Sequence, residues 1–259
     1  MSKPNLVLNH AKEIIQKGYR FDKRAMDEYR DIQVETGVSK TAEGSARVRF
    51  GETEVMVGIK LGIEKPYPDC PNRGNVSVNV ELLALSSPEF EPGPPSNQAV
   101  ELARVVDRGV REGGAIDMEA MCITPGEAVW TAFIDVCTIN DAGNLFDAAS
   151  LGALAALKDT KLPVRKEDGT LDYKEKTDKG LPLHDEPVEV TVLKIGDKFI
   201  VDPIREEEKV LDSRLTVAFT KDDKICALQK GGEVPMTADD VAHAVDIATS
   251  KVDELRKHV

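Results

Sequence analysis

Residues 74–114 read GNVSVNVELLALSSPEFEPGPPSNQAVELARVVDRGVREGG, and this stretch decides the fold. Val76, Val78 and Val80 alternate with Ser77, Asn79 and Glu81, the period of a strand with one buried face. Pro92-Gly93-Pro94-Pro95 then breaks the chain, because proline and glycine fit neither a strand ladder nor a helix interior. Ser96 or Asn97 stands ready to cap a helix, and Gly113-Gly114 to end it,. Ala99, Leu102, Ala103, Val106 and Val110 fall on one side of that helix at 3.6-residue spacing,. A one-faced strand run that hands over to a one-sided helix implies helices packed on a sheet, an α+β fold.

Working outward, the same texture recurs. Upstream, Leu6, Leu8, Ala11, Ile14 and Ile15 follow helical spacing, with Gly18 as a stop, so residues 1–30 read as a docking helix and extension,. Residues 31–157 form a first half, with strands expected over 32–34, 46–50, 54–63, 76–83 and 128–138, and a small-residue helix over 147–157,. Residues 158–187 are polar and rich in turn formers, and read as a surface excursion,. A second half over 188–259 repeats strands and then a helix: strands over 188–193, 198–202, 214–220 and 224–228. In the closing helix Thr237 caps with Asp240 three residues on, and Val241, Val245, Ala248, Val252 and Leu255 form its apolar stripe,. The two halves share a layout but no alignable repeat.

Composition narrows the functional classes. With 259 residues and 41% hydrophobic content the chain can bury a sizeable core, which argues against disorder,. A net charge of −12 repels a phosphate backbone at long range, so any nucleic-acid contact must be local,. No apolar run nears the roughly 20 residues of a spanning helix, so no membrane partner is expected. Cys70, Cys122, Cys137 and Cys226 are scattered, as are His10, His184, His243 and His258, and no secretory leader opens the sequence. Free thiols and a cytoplasmic location are the expectation. Cys122 and Cys137 lie in apolar runs, where cysteine packs as a small hydrophobe,.

Three groups of residues carry possible chemistry. Arg104, Arg108 and Arg111, at i, i+4 and i+7, share a helix face opposite the apolar stripe,. Either they form a solvated face, with Glu101 pairing Arg104 and Asp107 pairing Arg111, or they meet an anion, for which planar guanidinium forks are suited. Glu206-Glu207-Glu208, with Asp202 and Asp212 nearby, is either plain solvated surface or a Mg²⁺ site,. Gly143-Asn144-Leu145, ahead of a helix, offers backbone N–H groups to an anion but no neighbouring Lys or Arg,.

Several stretches resemble a known family: Tyr19-Arg20-Phe21-Asp22-Lys23-Arg24, Thr41-Ala42-Glu43-Gly44-Ser45-Ala46, Gly74 to Glu81, Phe90-Glu91-Pro92-Gly93-Pro94-Pro95, and Glu101 to Arg108. Over nearly the whole chain they resemble the RNase PH family, most closely the archaeal exosome subunit type that shares a ring with a catalytic sister. That resemblance implies two α/β halves, each with a short mixed sheet and packed helices, and a trimer of heterodimers. The family degrades RNA from the 3′ end by phosphorolysis: inorganic phosphate attacks the last linkage and a nucleoside diphosphate leaves. Where the family's phosphate motif has Gly-Thr-Arg or Gly-Ser-Arg, this chain has Gly143, Asn144 and Leu145, without the arginine. Where catalytic members carry two metal-holding aspartates, it has Glu208 and Arg214. Arg104 and Arg108 match positions that reach toward RNA at the sister's active site.

The expectation is a non-catalytic ring subunit. Arg104, Arg108 and Arg111 would bind single-stranded RNA, with Arg111 the weakest candidate since it can pair with Asp107. No catalytic or metal-ligating residue is expected, and no cofactor on this chain; inorganic phosphate and Mg²⁺ belong at the active site of the homologous catalytic partner. RNA-binding cap subunits are further partners. Two alternatives stand beside it: a self-sufficient metal-dependent phosphorolytic exoribonuclease using Glu208, Asp212 and Asp202, and a purely structural ring member.

Overall fold

The computed structural model describes residues 3–166 and 170–259. In chain order the elements are α1 (Lys3–Gln16), β1 (Ile32–Thr36), β2 (Gly44–Phe50), β3 (Thr53–Glu64), β4 (Asn75–Glu81), α2 (Asn97–Glu112), β5 (Cys122–Thr124), β6 (Ala128–Asn140) and α3 (Leu145–Asp159). Then come β7 (Lys161–Arg165), β8 (Leu171–Gly180), β9 (Val188–Ile195), β10 (Lys198–Val201), α4 (Arg205–Glu208), β11 (Ser213–Phe219), β12 (Ile225–Gly231) and α5 (Ala238–Arg256).

The first sheet runs β1-β2-β3-β6-β4, with β5 beside β6; β4 is parallel to β6 and the other pairs are antiparallel. The second sheet, β10-β9-β11-β12, is antiparallel throughout, so the expected mixed sheet is realised in the first half alone. Between the sheets lie α2 and α3. Thirteen consecutive residues of α3, Leu145 to Leu157, are buried, because β1, β2, β3 and β6 cover one side of the helix and β9 the other. The small-residue run read from the sequence is what lets it sit that close to both. Strand β9 is buried on both faces, with α3 against one and α5 against the other. One continuous apolar core therefore joins the two halves, while α1 packs through Ala11 and Ile15 onto Leu193, Ile195 and Ile200 of the second sheet.

Several expectations need correction. On α2, Val105 and Gly109 are buried along with Ala99, Leu102, Val106 and Val110, while Ala103 is half-buried; the second sheet covers a flank of the helix that a single apolar stripe does not reveal. On α5, Ala244 is fully buried and Val241 and Val245 only half. The 158–187 excursion holds a two-stranded hairpin, β7 against β8; its alternation is hidden by lysines and acids. Cys122 and Cys137 are half-buried and free, with burial and then the nearby Glu81 carboxylate pushing the Cys137 thiol up. The side chains of Leu6 and Leu8 lie outside the described residues. No described helix is long and apolar enough to cross a membrane.

Candidate nucleic-acid interface

Helix α2 begins where the sequence places it: the Ser96 side chain accepts from the Ala99 N–H at 3.2 Å, satisfying a donor that the first turn leaves open. Its outward face lies between two sheet edges, β4 of the first sheet and β12 of the second. Arg104, Arg108 and Arg111 are all exposed on it. Arg104 and Arg108 line a cavity of about 120 Å³ with Leu228 and Gln229 of β12. On its other side Arg104 borders one of about 430 Å³ with Ser77 and Asn79 of β4.

The three arginines differ in what holds them. Arg111 is tied down, its Nε donating to Asp107 Oδ1 at 2.7 Å and its Nη2 to the Val76 carbonyl. Arg108 has a loose 3.7 Å ion pair with Glu112, both side chains largely exposed, an arrangement worth little in water. Among the described residues Arg104 has no ion-pair or hydrogen-bond partner. The Glu101–Arg104 pair of the solvated-face alternative does not form; Arg214 Nη2 donates instead to Glu101 Oε1 at 2.5 Å, and the Arg214 guanidinium lies 3.9 Å from the Phe146 ring centroid.

The start of α3 is arranged in the opposite way. Gly143 has φ of 94° and abuts the 203–205 backbone so closely that a Cβ there would fall 2.5 Å from the Pro203 carbonyl oxygen. Asn144 follows, left-handed at φ 58° and fully buried. Its backbone N–H, the donor that would face an incoming anion, is given to Glu208 Oε1 at 2.9 Å. Its Nδ2 donates to Asp147 Oδ2 at 3.1 Å and to Asp202 Oδ1 at 3.0 Å, and the Tyr29 hydroxyl donates to Asp147 at 3.0 Å. The chain thus fills this helix N-terminus with its own carboxylates, which the positive end of the helix dipole favours. Burial pushes Asp147 up to about 7, against hydrogen bonds from Thr191, Asn144 and Tyr29. Burial likewise pushes Glu208 up to about 7, with the Asn144 N–H opposing it.

The acidic run is dispersed in the fold. Glu206 alone is exposed. Glu207 is buried and receives a two-point contact from Arg20, at 2.9 Å from Nε and 2.6 Å from Nη2, so the solvated-surface reading holds only for its neighbour. Asp202 receives Arg30 at 2.6 Å and Arg24 at 2.9 Å. Burial opposes its charge, but the Arg30 hydrogen bonds and charge outweigh that and hold the carboxyl below the usual range. Asp212 takes Lys12 Nζ and the Gly196 N–H, each at 2.6 Å. Glu208 and Asp202 therefore meet only through Asn144, Asp212 has partners of its own, and the described residues hold no cluster of three or more His, Cys, Asp or Glu disposed to bind a metal. A Mg²⁺ site does not fit here: the second family position is a guanidinium, whose charge opposes a cation. Sequence reading missed the Tyr29–Asp147 contact and the Arg214–Glu101 pair, which join residues 118 and 113 positions apart and leave no periodic signal.

Comparison with known proteins agrees with this architecture. Residues 28–163 match the family model described as 3′ exoribonuclease family, domain 1, and residues 185–251 match domain 2. The chain is 44% identical over 257 residues to the exosome complex component Rrp42 of Methanothermobacter thermautotrophicus, covering 99% of this chain and 95% of that one. It is 48% identical over 244 residues to Rrp42 of Methanocella arvoryzae, covering 94% and 92%. Its fold superposes with a TM-score of 0.91, at 42% identity and covering 98% of this chain and 97% of the other, on a chain of the Archaeoglobus fulgidus exosome with RNA bound to the active site. On its sequence, both of its halves and its tertiary structure, the chain belongs to the RNase PH, or 3′ exoribonuclease, family.

Proposed function

We propose that the chain is a ring subunit of an archaeal-type exosome that does no cutting itself and holds the RNA 3′ end for a homologous catalytic sister through Arg104 and Arg108. The observation that carries this reading is the contrast between two charged sites. Arg104 has no partner among the described residues, and Arg108 only a loose one, on an open face. The N-terminus of α3, where an attacking phosphate would be held, is occupied by Glu208. Guanidinium groups on an open face grip phosphate oxygens without reading bases, so the contribution is sequence-independent and weakens with salt. Arg111, bonded twice within the chain, contributes packing more than contact. Inorganic phosphate and Mg²⁺ act at the sister's site, and RNA-binding cap subunits complete the assembly.

The test is reconstitution with the sister chain. Changing Arg104 and Arg108 together to alanine weakens single-stranded RNA binding roughly tenfold at moderate salt and lowers the salt slope by about 1.4 for two lost phosphate contacts. Unchanged binding and degradation would overturn the reading. Incubated alone with RNA, phosphate and Mg²⁺, the isolated chain releases no nucleoside diphosphate; release would favour the self-sufficient nuclease. RNA cross-linking that yields no adduct near α2 would favour a purely structural ring member.

A further inference from the structure

Glu101 precedes Arg104 by three residues on α2, a spacing at which opposite charges on a helix ordinarily meet. Its carboxylate is instead bonded to Arg214 of β11, at 2.5 Å. Two features of the fold hold Arg214 in place. Its guanidinium stacks on the Phe146 ring of α3, a favourable cation–π contact. Its ladder partner on β12 is Gly231, and a Cβ at that position would fall 2.5 Å from Arg214 Nη2, so the fork lies directly against this glycine. The Arg214 side chain is 12% exposed, against 35% for Glu101, so the cation is the fixed member and the carboxylate the one drawn toward it.

We infer that Arg214 is a positioning residue for the RNA grip: by drawing Glu101 away from Arg104, it leaves the Arg104 guanidinium unpaired for a phosphate oxygen. This rests on the function proposed above. Without Arg214, Glu101 swings to its neighbour one turn along, partly neutralises it and sets a negative charge where the RNA backbone must lie. The cation at position 214 thereby serves a helix in the first half of the chain from a strand in the second.

The experiment uses the ring reconstituted with its sister chain and a fluorescein-labelled single-stranded oligoribonucleotide, with affinity read by anisotropy. Arg214→Met, which keeps length and the packing on Phe146, weakens binding about threefold to fivefold. Glu101→Gln in the otherwise unaltered chain changes it less than about twofold, and added to Arg214→Met it restores affinity to within about twofold. In an Arg104→Ala background the effects of both substitutions vanish. The coupling is the decisive readout: an equal gain from Glu101→Gln with and without Arg214 would mean a bulk charge effect and overturn the inference. If Arg104→Ala weakens binding and Arg214→Met does not, this inference fails while the proposed function stands. If Arg104→Ala itself has no effect, both fail. Should Arg214→Met not assemble, Arg214→Leu, which likewise removes the charge and keeps an apolar contact with Phe146, is used with the same rescue by Glu101→Gln expected.

Discussion

The outward face of α2 and the first turn of α3 are both places where an anion is at home, and the chain treats them oppositely. At α3 the backbone donor, the dipole and the nearby arginines are all answered internally: Glu208 takes the Asn144 N–H, and Asp202 takes Arg24 and Arg30. At α2 the row is answered firmly only at its far end, where Arg111 meets Asp107 and the Val76 carbonyl, while Arg108 keeps a loose pair with Glu112. Charge neutralised within the chain is architecture, because a buried ion stripped of its partner is costly. Charge left open toward solvent keeps its hydration and stays available to a ligand, at the small cost of the repulsion between Arg104 and Arg108 one turn apart. Identity alone does not separate the two, since both sites are rich in arginine and carboxylate.

The largest effect that would sharpen this comparison is on stability. Arg20 and Glu207 are both fully buried, with a two-point contact; Arg20→Ala is expected to destabilise by about 3–5 kcal/mol, since it leaves an uncompensated carboxylate. Chemical denaturation checks it, and a loss as small as that of an exposed pair would remove the architectural reading of the acidic run. Next in size is the roughly tenfold loss of RNA affinity, about 1.4 kcal/mol, from replacing Arg104 and Arg108, which should leave the denaturation midpoint nearly unmoved.

A third prediction uses pH. Glu208 is raised from 4.5 to about 7 in the folded chain, so its folded form keeps a proton that the unfolded form releases. Its contribution to stability is fully present below the unfolded value and lost as pH rises through about 7,. Asp202, held low by Arg30, acts with opposite sign, its contribution being lost as pH falls through its depressed value,. Glu208→Gln, which can still accept from the Asn144 N–H, should therefore gain on the unaltered protein by on the order of 1 kcal/mol between about pH 5 and pH 8. Parallel urea curves at the two pH values would show that the α3 plug is not held as described. The smallest effect expected is from Arg111→Ala: less than a twofold change in RNA affinity, and about 0.5–1 kcal/mol of stability from the lost carbonyl and Asp107 contacts. An RNA effect as large as that of Arg104→Ala would erase the distinction along the row.

Much of the fold was legible because it rests on local period. The Val76–Val80 alternation, the Ser96 cap, the Thr237–Asp240 capping box and the small-residue run of α3 all declare themselves within a few residues, and each stands where its pattern puts it. The hairpin of β7 and β8 was not legible, since lysines and acids break up its apolar positions and only Pro163 of β7 is buried. The candidate site was legible as a row of arginines, together with the Asp107–Arg111 pair at i and i+4. Of the two readings the sequence offered for Arg104, the pair with Glu101 does not form, because Glu101 has two cations within reach and only the nearer in sequence is visible in the sequence.

By itself the sequence determined the longer helices and most strands of the two main sheets, that the arginines of α2 share a face, and that the Gly143–Leu145 turn lacks a cationic side chain. What only the tertiary structure decided is which charges are already answered. Helical and strand periods are set by neighbours in the chain, whereas an ion pair is settled by distance in space. Glu208 with Asn144, Arg20 with Glu207 and Arg214 with Glu101 join residues 64, 187 and 113 positions apart, and nothing local in the chain records them.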